Sequence, residues 1–279
     1  MSKALTLARL TAREVLDQPL TRIAVGVACL LLLLATFLPS FTLEPEGDLK
    51  FMSDVGLAAV AMCLGVIGLW PAATFLADEL SQRTAMTLLA KPLSRRDYLL
   101  GRYLGILAAL LVAAALLAVA FLFAVWLTEG EVVSSRLDRF LEELRYGPVP
   151  ETPSRGLPGI RWNLGGGVLL GLSQAGVLCA VAVAFSTRLG TLPNLACSVA
   201  VFLAGHLVGP LAQSLGSGWA GWGLRALIPD FEFFDMSESV ARGIPVPMGY
   251  VASCAGYAAL YAGAVLAVAV SLFDRREIA

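Results

Sequence analysis

The sequence predicts an all-α polytopic membrane protein: six transmembrane helices, an N-terminal interfacial helix and a short cytoplasmic helix between the second and third spans. Three observations carry that expectation. Hydrophobic residues make up 58% of the chain and charged ones 15%, where a soluble domain carries nearer a quarter. Mean hydropathy is +0.78. The apolar residues gather in six runs of about twenty, long enough to cross a hydrocarbon core of roughly 30 Å at 1.5 Å per residue.

The chain reads as one transmembrane domain over residues 1–279, beginning with an interfacial helix at 1–19. Within KALTLARLTAREVLDQ the apolar residues fall at Leu5, Ala8, Ala12, Val15 and Leu16, with Lys3, Arg9 and Arg13 elsewhere on the wheel. That spacing suits a helix in the membrane interface with basic side chains near lipid phosphates; an ordinary solvated helix is the alternative. No cleavable signal peptide is evident, since the start is polar and basic for nearly twenty residues.

The first span is 20–39, its core ACLLLLLATFL free of charge. A short acidic loop with Glu44, Glu46, Asp48 and Asp54 is expected next. The second span is 55–77, with Pro71 expected to kink its far end. Segment 78–99 is a cytoplasmic loop dense in positive charge: Arg83, Lys91, Arg95 and Arg96, with Arg102 just beyond. Pro92 should end a short helix over 81–90, and Ser94 with Asp97 has capping-box spacing for the next one.

The third span is 100–127, unbroken by proline. Residues 128–163 form an external loop. Val133, Leu137, Phe140, Leu141 and Leu144 lie on one helical face there, which predicts an amphipathic helix resting on the outer surface. The stretch PVPETPSRGLPG should be irregular. The fourth and fifth spans are 164–187 and 190–211, joined by a tight turn, with Pro193 in the first turn of the fifth. Gly165, Gly166, Gly167, Gly171, Ala175 and Gly176 crowd the fourth span and let helices approach closely. Residues 212–249 form a second external loop; its aromatics, Trp219, Trp222, Phe231, Phe233 and Phe234, suit the headgroup region or a re-entrant hairpin. The sixth span is 250–272.

Charge supports one orientation. With both termini cytoplasmic, twelve of the twenty basic residues lie inside, and the outer segments are net acidic.

Composition and motifs exclude several classes. A net charge of −1 offers no basic field for nucleic acid. Cys29, Cys63, Cys179, Cys197 and Cys254 each sit in an apolar run without CxxC pairing, as small hydrophobes. There is no HExxH, GxSxG, Walker A or metal-ligand pattern, so no catalytic residue, metal or cofactor is expected. His206 is the sole histidine, toward the outer end of the fifth span without a carboxylate in that span; hydrogen bonding is its expected role. Ser173, Gln174 and Asn194 are the other polar candidates within spans, expected to bond between helices.

The loop before the third span is the candidate entry point for force. Met86, Leu88 and Leu89 suit insertion into a partner groove, and Glu79 with Arg83 has i,i+4 spacing. On physics alone, arginines that only enforce topology explain the loop equally well.

The run ELSQRTAMTLLAKPLSRRDYLLGRYLG resembles the segment between the second and third spans of ABC-2-type transporter permeases, where an acidic residue leads into a coupling helix and a KP-S-R…LLG-[KR] run opens the third span. The tail, from PDFEFFDM through SLFDRREI, is similar to the close of bacterial permeases of that family. The resemblance implies half of an ABC exporter, in a bacterial inner or plasma membrane. It implies a separate ATPase, two copies per transporter, bound through Glu79, Arg83, Thr84, Met86, Leu88, Leu89 and Pro92. It also implies a second permease, identical or related, with hydrolysis confined to the ATPase. Scarce charge in the spans favours an apolar or amphipathic cargo. A scaffold that holds a partner through its outer loops, and a lipid-modifying enzyme, are the competing classes.

Overall fold

The computed structural model describes residues 3–37, 45–81, 95–146, 158–214, 227–236, 239 and 246–274. Among them are seven α-helices and one 3-10 turn: α1 (Lys3–Asp17), α2 (Pro19–Phe37), α3 (Pro45–Ser81), α4 (Arg95–Tyr146), α5 (Pro158–Ser186), α6 (Thr191–Ser214), the turn Glu232–Phe234, and α7 (Met248–Asp274). Helices α2 to α7 each contain a stretch long and apolar enough to cross a membrane. The protein is thus a multi-pass, all-helical membrane protein.

Helix α5 is the axis. It packs on α3, α4, α6 and α7, and 72% of its span is buried, against 22% for α2 and 28% for α6 and α7. Its small residues permit this. A Cβ on Gly171 would touch the Ala61 backbone of α3 at 3.4 Å, one on Gly167 would run into Leu57, and one on Gly166 would meet Val251 of α7 at 3.3 Å. Around it Leu64, Ile67, Leu110, Leu117, Phe121 and Cys179 form the main core. Outward faces remain apolar, as at Leu34, Val119, Leu203, Leu207 and Leu260, because lipid is as good a solvent for leucine as another helix. Cys63, Cys179 and Cys254 are buried, whereas Cys197 faces outward.

Three expectations change. The acidic stretch before the second span is helical from Pro45, so Glu46, Asp48 and Asp54 belong to α3. Proline is preorganised for the first helical position, and acids there complement the helix dipole. The helix then runs through Pro71 without ending. Second, α4 continues past the third span to Tyr146, a single helix of 52 residues and about 78 Å. Residues 128–146 therefore extend the span instead of forming a separate surface helix. Gly130 is the one glycine there and no proline occurs before Pro148; one glycine costs about 1 kcal/mol, too little to end so long a helix. Third, α5 starts at Pro158, so the end of the proline-rich stretch is helical too.

The turn between α5 and α6 is as tight as expected, Thr187 to Gly190. Asn194 is buried and donates from Nδ2 to Ala182 O at 3.0 Å, linking the two helices. Ser173 bonds only within its own helix, to Leu169 O at 2.8 Å. Arg188 in the turn donates to Leu272 O at 3.5 Å, so this turn, the start of α4 and the end of α7 share one end of the bundle, called basal below. The end of α6 and the start of α7 are distal.

Candidate functional site

At the basal end, α1 lies against the first turns of α4, and two glycines make room for it. A Cβ on Gly105 would fall 2.6 Å from Ala8 O and 2.5 Å from Thr11 Cβ; one on Gly101 would fall 3.1 Å from Ala4 O. The spacing, Gly101-x-x-x-Gly105, places both on one face of α4, the small-xxx-small device of close helix contacts. Ala8, Thr11 and Val15 are buried. Leu5 and Leu10 point outward, so the apolar face read from the sequence divides: half packs on protein and Leu5 faces away.

Arg102, between those glycines, turns into the contact. Its Nη1 donates to Glu14 Oε2 at 2.9 Å and to Thr11 Oγ1 at 3.1 Å, and its guanidinium lies 5.0 Å from the Phe75 ring centre and 5.9 Å from that of Tyr98. One side chain thus joins α1, the end of α3 and the start of α4. Its side chain is only 11% exposed. Counting Arg102 among loop cations missed this; the glycine pair flanking it was the available signal.

Segment 82–94 connects α3 to α4. Arg83, Thr84, Met86, Leu88, Leu89 and Pro92, with Ser94, lie outside the described residues, and Glu79 is in the last turn of α3.

The distal end holds a second construction. Residues 227–236 do not stay beyond the bundle; they fold back between α5, α6 and α7. Phe231 N donates to Gly205 O at 3.1 Å, nine residues and so about 14 Å in from the end of α6. Phe231 is fully buried, and Gly205 makes the approach possible, since a Cβ there would strike the Phe231 ring and come within 2.6 Å of Pro229 O. Irregular backbone beside a span must have its polar groups met by protein. Helix α7 meets them with a stripe of hydroxyls. Tyr261 donates to Leu227 O at 2.9 Å, Tyr257 Oη accepts from Asp230 N at 3.2 Å, and Tyr250 donates to Phe233 O at 2.8 Å. Positions 250, 257 and 261 share a helical face, a pattern visible in the sequence whose partner was not. Of the aromatics assigned to this loop, Trp219 and Trp222 lie outside the described residues.

The fold-back brings Asp230, Glu232 and Asp235 alongside the spans, which corrects the expectation that His206 is nearly alone among ionisable groups there. A count along each span cannot register residues carried in by a loop. Asp230 is 3% exposed, and its Oδ1 accepts from Glu232 N, at the start of the 3-10 turn, at 3.2 Å. The Glu232 carboxylate lies on Gly209.

Between α3, α5, α6 and this segment is a cavity of about 470 Å³. Small residues hold it open: Ala58, Ala61 and Gly65 on α3, Gly167 and Gly171 on α5. Phe202, Phe231 and Phe234 furnish aromatic wall, and Gln174, His206 and Asp235 its polar points. His206 Nδ1 donates to Phe202 O at 2.9 Å; a carbonyl only accepts, so this nitrogen carries the proton. In the neutral ring Nε2 then accepts from Gln174 Nε2, 3.4 Å away. The pair bonds α5 to α6, the role expected of both residues.

Six apolar spans, with a helix clamped at the base and a folded-back distal segment, define a multi-pass α-helical membrane protein. Residues 7–143 match the model of the ABC-2 family transporter proteins, a match that supports an ABC-2-type permease subunit of an ABC transporter. The match runs from within α1 into α4 and includes Thr11, Glu14, Phe75, Gly101, Arg102 and Gly105. Permeases of this family are membrane components, not themselves catalytic. No curated protein matches the chain.

Proposed function

We propose that this chain is one membrane half of an ABC exporter in the cell membrane, with both termini and segment 78–99 cytoplasmic. Two copies of a separate ATPase serve the transporter, each docking on a coupling helix within 78–99 through Glu79, Arg83, Thr84, Met86, Leu88, Leu89 and Pro92. The other half is a second copy or a related permease, and the pathway runs between the halves through the lipid bilayer. The cargo is apolar or amphipathic.

The observation that carries the reading is the clamp at the base of α4. A push on the segment entering at Arg95 meets a helix whose first turns are held to α1 through Gly101, Gly105 and Arg102. Such a helix moves with α1 as one body instead of fraying at its start. Since α4 is continuous for 52 residues, displacement at its base reaches the far side of the bundle.

The test is Leu88→Asp with Leu89→Asp. Two carboxylates would have to be desolvated in an apolar groove, so co-purified ATPase and its stimulated hydrolysis should fall at least about 100-fold, with insertion and permease pairing intact. Arg95→Gln, the control, should leave docking near wild type. Wild-type docking and hydrolysis by a folded double variant would remove 78–99 as the coupling site and favour the scaffold reading, to which the distal extension of α4 lends itself.

A further inference from the structure

We infer that the distal cavity is a binding site for a neutral lipophile, an uncharged apolar body with one hydroxyl or carbonyl group, which enters sideways from the hydrocarbon. The inference rests on the export reading and deepens it by naming the cargo class and its way in. Size is the first support: about 470 Å³ falls within the range of small-molecule sites, roughly 300–1,000 Å³. The opening is the second. Met62 and Val66 of α3 and Val199 and Leu203 of α6 line the cavity, yet they are 69%, 43%, 43% and 58% exposed. Side chains that touch both the cavity and the outer surface mark its mouth, so the mouth lies between α3 and α6. It sits at mid-depth, since these residues fall in the middle of the spans 52–75 and 191–212.

The depth of the mouth decides the charge. A charge at the centre of a bilayer is costly, so what reaches this mouth in quantity is uncharged. Inside, nothing selects a sign. Asp235 is the one formally charged side chain in the lining and is already engaged within the protein. The helices that wall the cavity carry Lys50 and Arg161 toward the same end. Recognition falls to Gln174, in the middle of the span 164–186. Its bond to His206 uses one amide hydrogen, and His206 donates its own proton to Phe202 O. Among the described residues that is the one hydrogen bond of the Gln174 amide. Its oxygen and second N–H are left to accept from a hydroxyl or donate to a carbonyl. In apolar surroundings an unmet polar group is costly, so this one amide orients the ligand, while Phe202, Phe231 and Phe234 flank its apolar body.

The experiment uses full-length permease in nanodiscs, with empty nanodiscs subtracted. The probes share a propeller of phenyl rings: triphenylmethanol, neutral with a hydroxyl; triphenylmethane, neutral without one; and tetraphenylphosphonium, a cation. Saturable binding of triphenylmethanol is expected, with triphenylmethane about fivefold weaker for the one lost hydrogen bond and neither displaced by the cation. Gln174→Leu should bring the two neutral probes to equal affinity, which general loosening of the bundle would not do. Gly65→Leu should abolish binding of both by filling the cavity, and it should fold, because a Cβ at Gly65 meets nothing within 4 Å. Met62→Trp with Leu203→Trp, both at the mouth, should slow association and dissociation together. Displacement by tetraphenylphosphonium as effective as by the alcohol, unchanged affinity in Gly65→Leu, or unchanged rates in the mouth variant would each overturn the inference. Binding by single permeases that is lost on pairing would assign the mouth to a second copy and overturn it as well. Because binding requires no ATPase, it separates from the export reading. Neutral-probe binding without ATP-driven transport would leave the site standing and remove the coupling. Transport of another cargo, unaffected by Gly65→Leu, would do the reverse.

Discussion

The base of α4 and the distal cavity are both lined with glycine, with opposite results. Gly101 and Gly105 are covered by the backbone of α1, with nothing left between the helices. Gly65 faces open space, and Gly167 and Gly171 set α5 against α3 beside that space. Polar groups divide in the same way. At the base one arginine is enclosed by a carboxylate, a hydroxyl and two rings. At the distal end hydroxyls hold a loop in place and leave a cavity beside it. A small residue permits approach; whether the approach is filled depends on what the rest of the chain delivers. The base is closed by packing, whereas the distal end keeps a cavity.

The sharpest way to break this contrast is to add the same side chain at both ends. Gly105→Leu should cost about 3 kcal/mol or more, since the clash is with the backbone of Ala8, which no rotamer change relieves. Gly65→Leu should stay within about 1 kcal/mol of wild type, as its Cβ meets open space and the glycine in the helix is replaced. Thermal unfolding in detergent compares the two; equal losses would mean that the base is no tighter than the cavity.

A smaller effect is expected at Arg102. Arg102→Met retains the apolar contacts and leaves Glu14 without its partner. Because the Glu14 side chain is 47% exposed, the loss should be about 1–2 kcal/mol, below the 3–5 kcal/mol of a fully buried pair. In a double-mutant cycle with Glu14→Gln, additive losses would show that the ion pair contributes nothing and that packing alone holds α1.

The smallest change concerns the distal loop. Tyr261→Phe removes the donor to Leu227 O, worth about 1 kcal/mol. It should raise hydrogen exchange at residues 227–236 without altering exchange in α1. Faster exchange at the base as well would mean that the two ends are one cooperative unit.

The spans were legible because a hydrocarbon solvent imposes length and apolarity on each helix separately, so 20–39 and 250–272 could be read from their own residues. The turn at Arg188 and Gly190 was local in the same sense. The glycines of the fourth span announced close packing, though not which neighbour each would meet. What escaped were relations between distant residues. Arg102 read as one more loop cation until Glu14, 88 positions away, was beside it. Nothing in the sixth span's own residues tells that the backbone of 227–236 rests on Tyr250, Tyr257 and Tyr261.

The sequence by itself determined the class of this protein: six helical spans, and through the run before the third span the kinship with ABC-2 permeases. Tertiary structure alone decided where the charges lie. Hydropathy sums over neighbours in the chain, whereas an ion pair, a capped loop or a cavity depends on residues that meet only after the helices pack. For that reason three carboxylates assigned to an external loop lie alongside the spans, and an arginine grouped with the cytoplasmic loop's cations is enclosed.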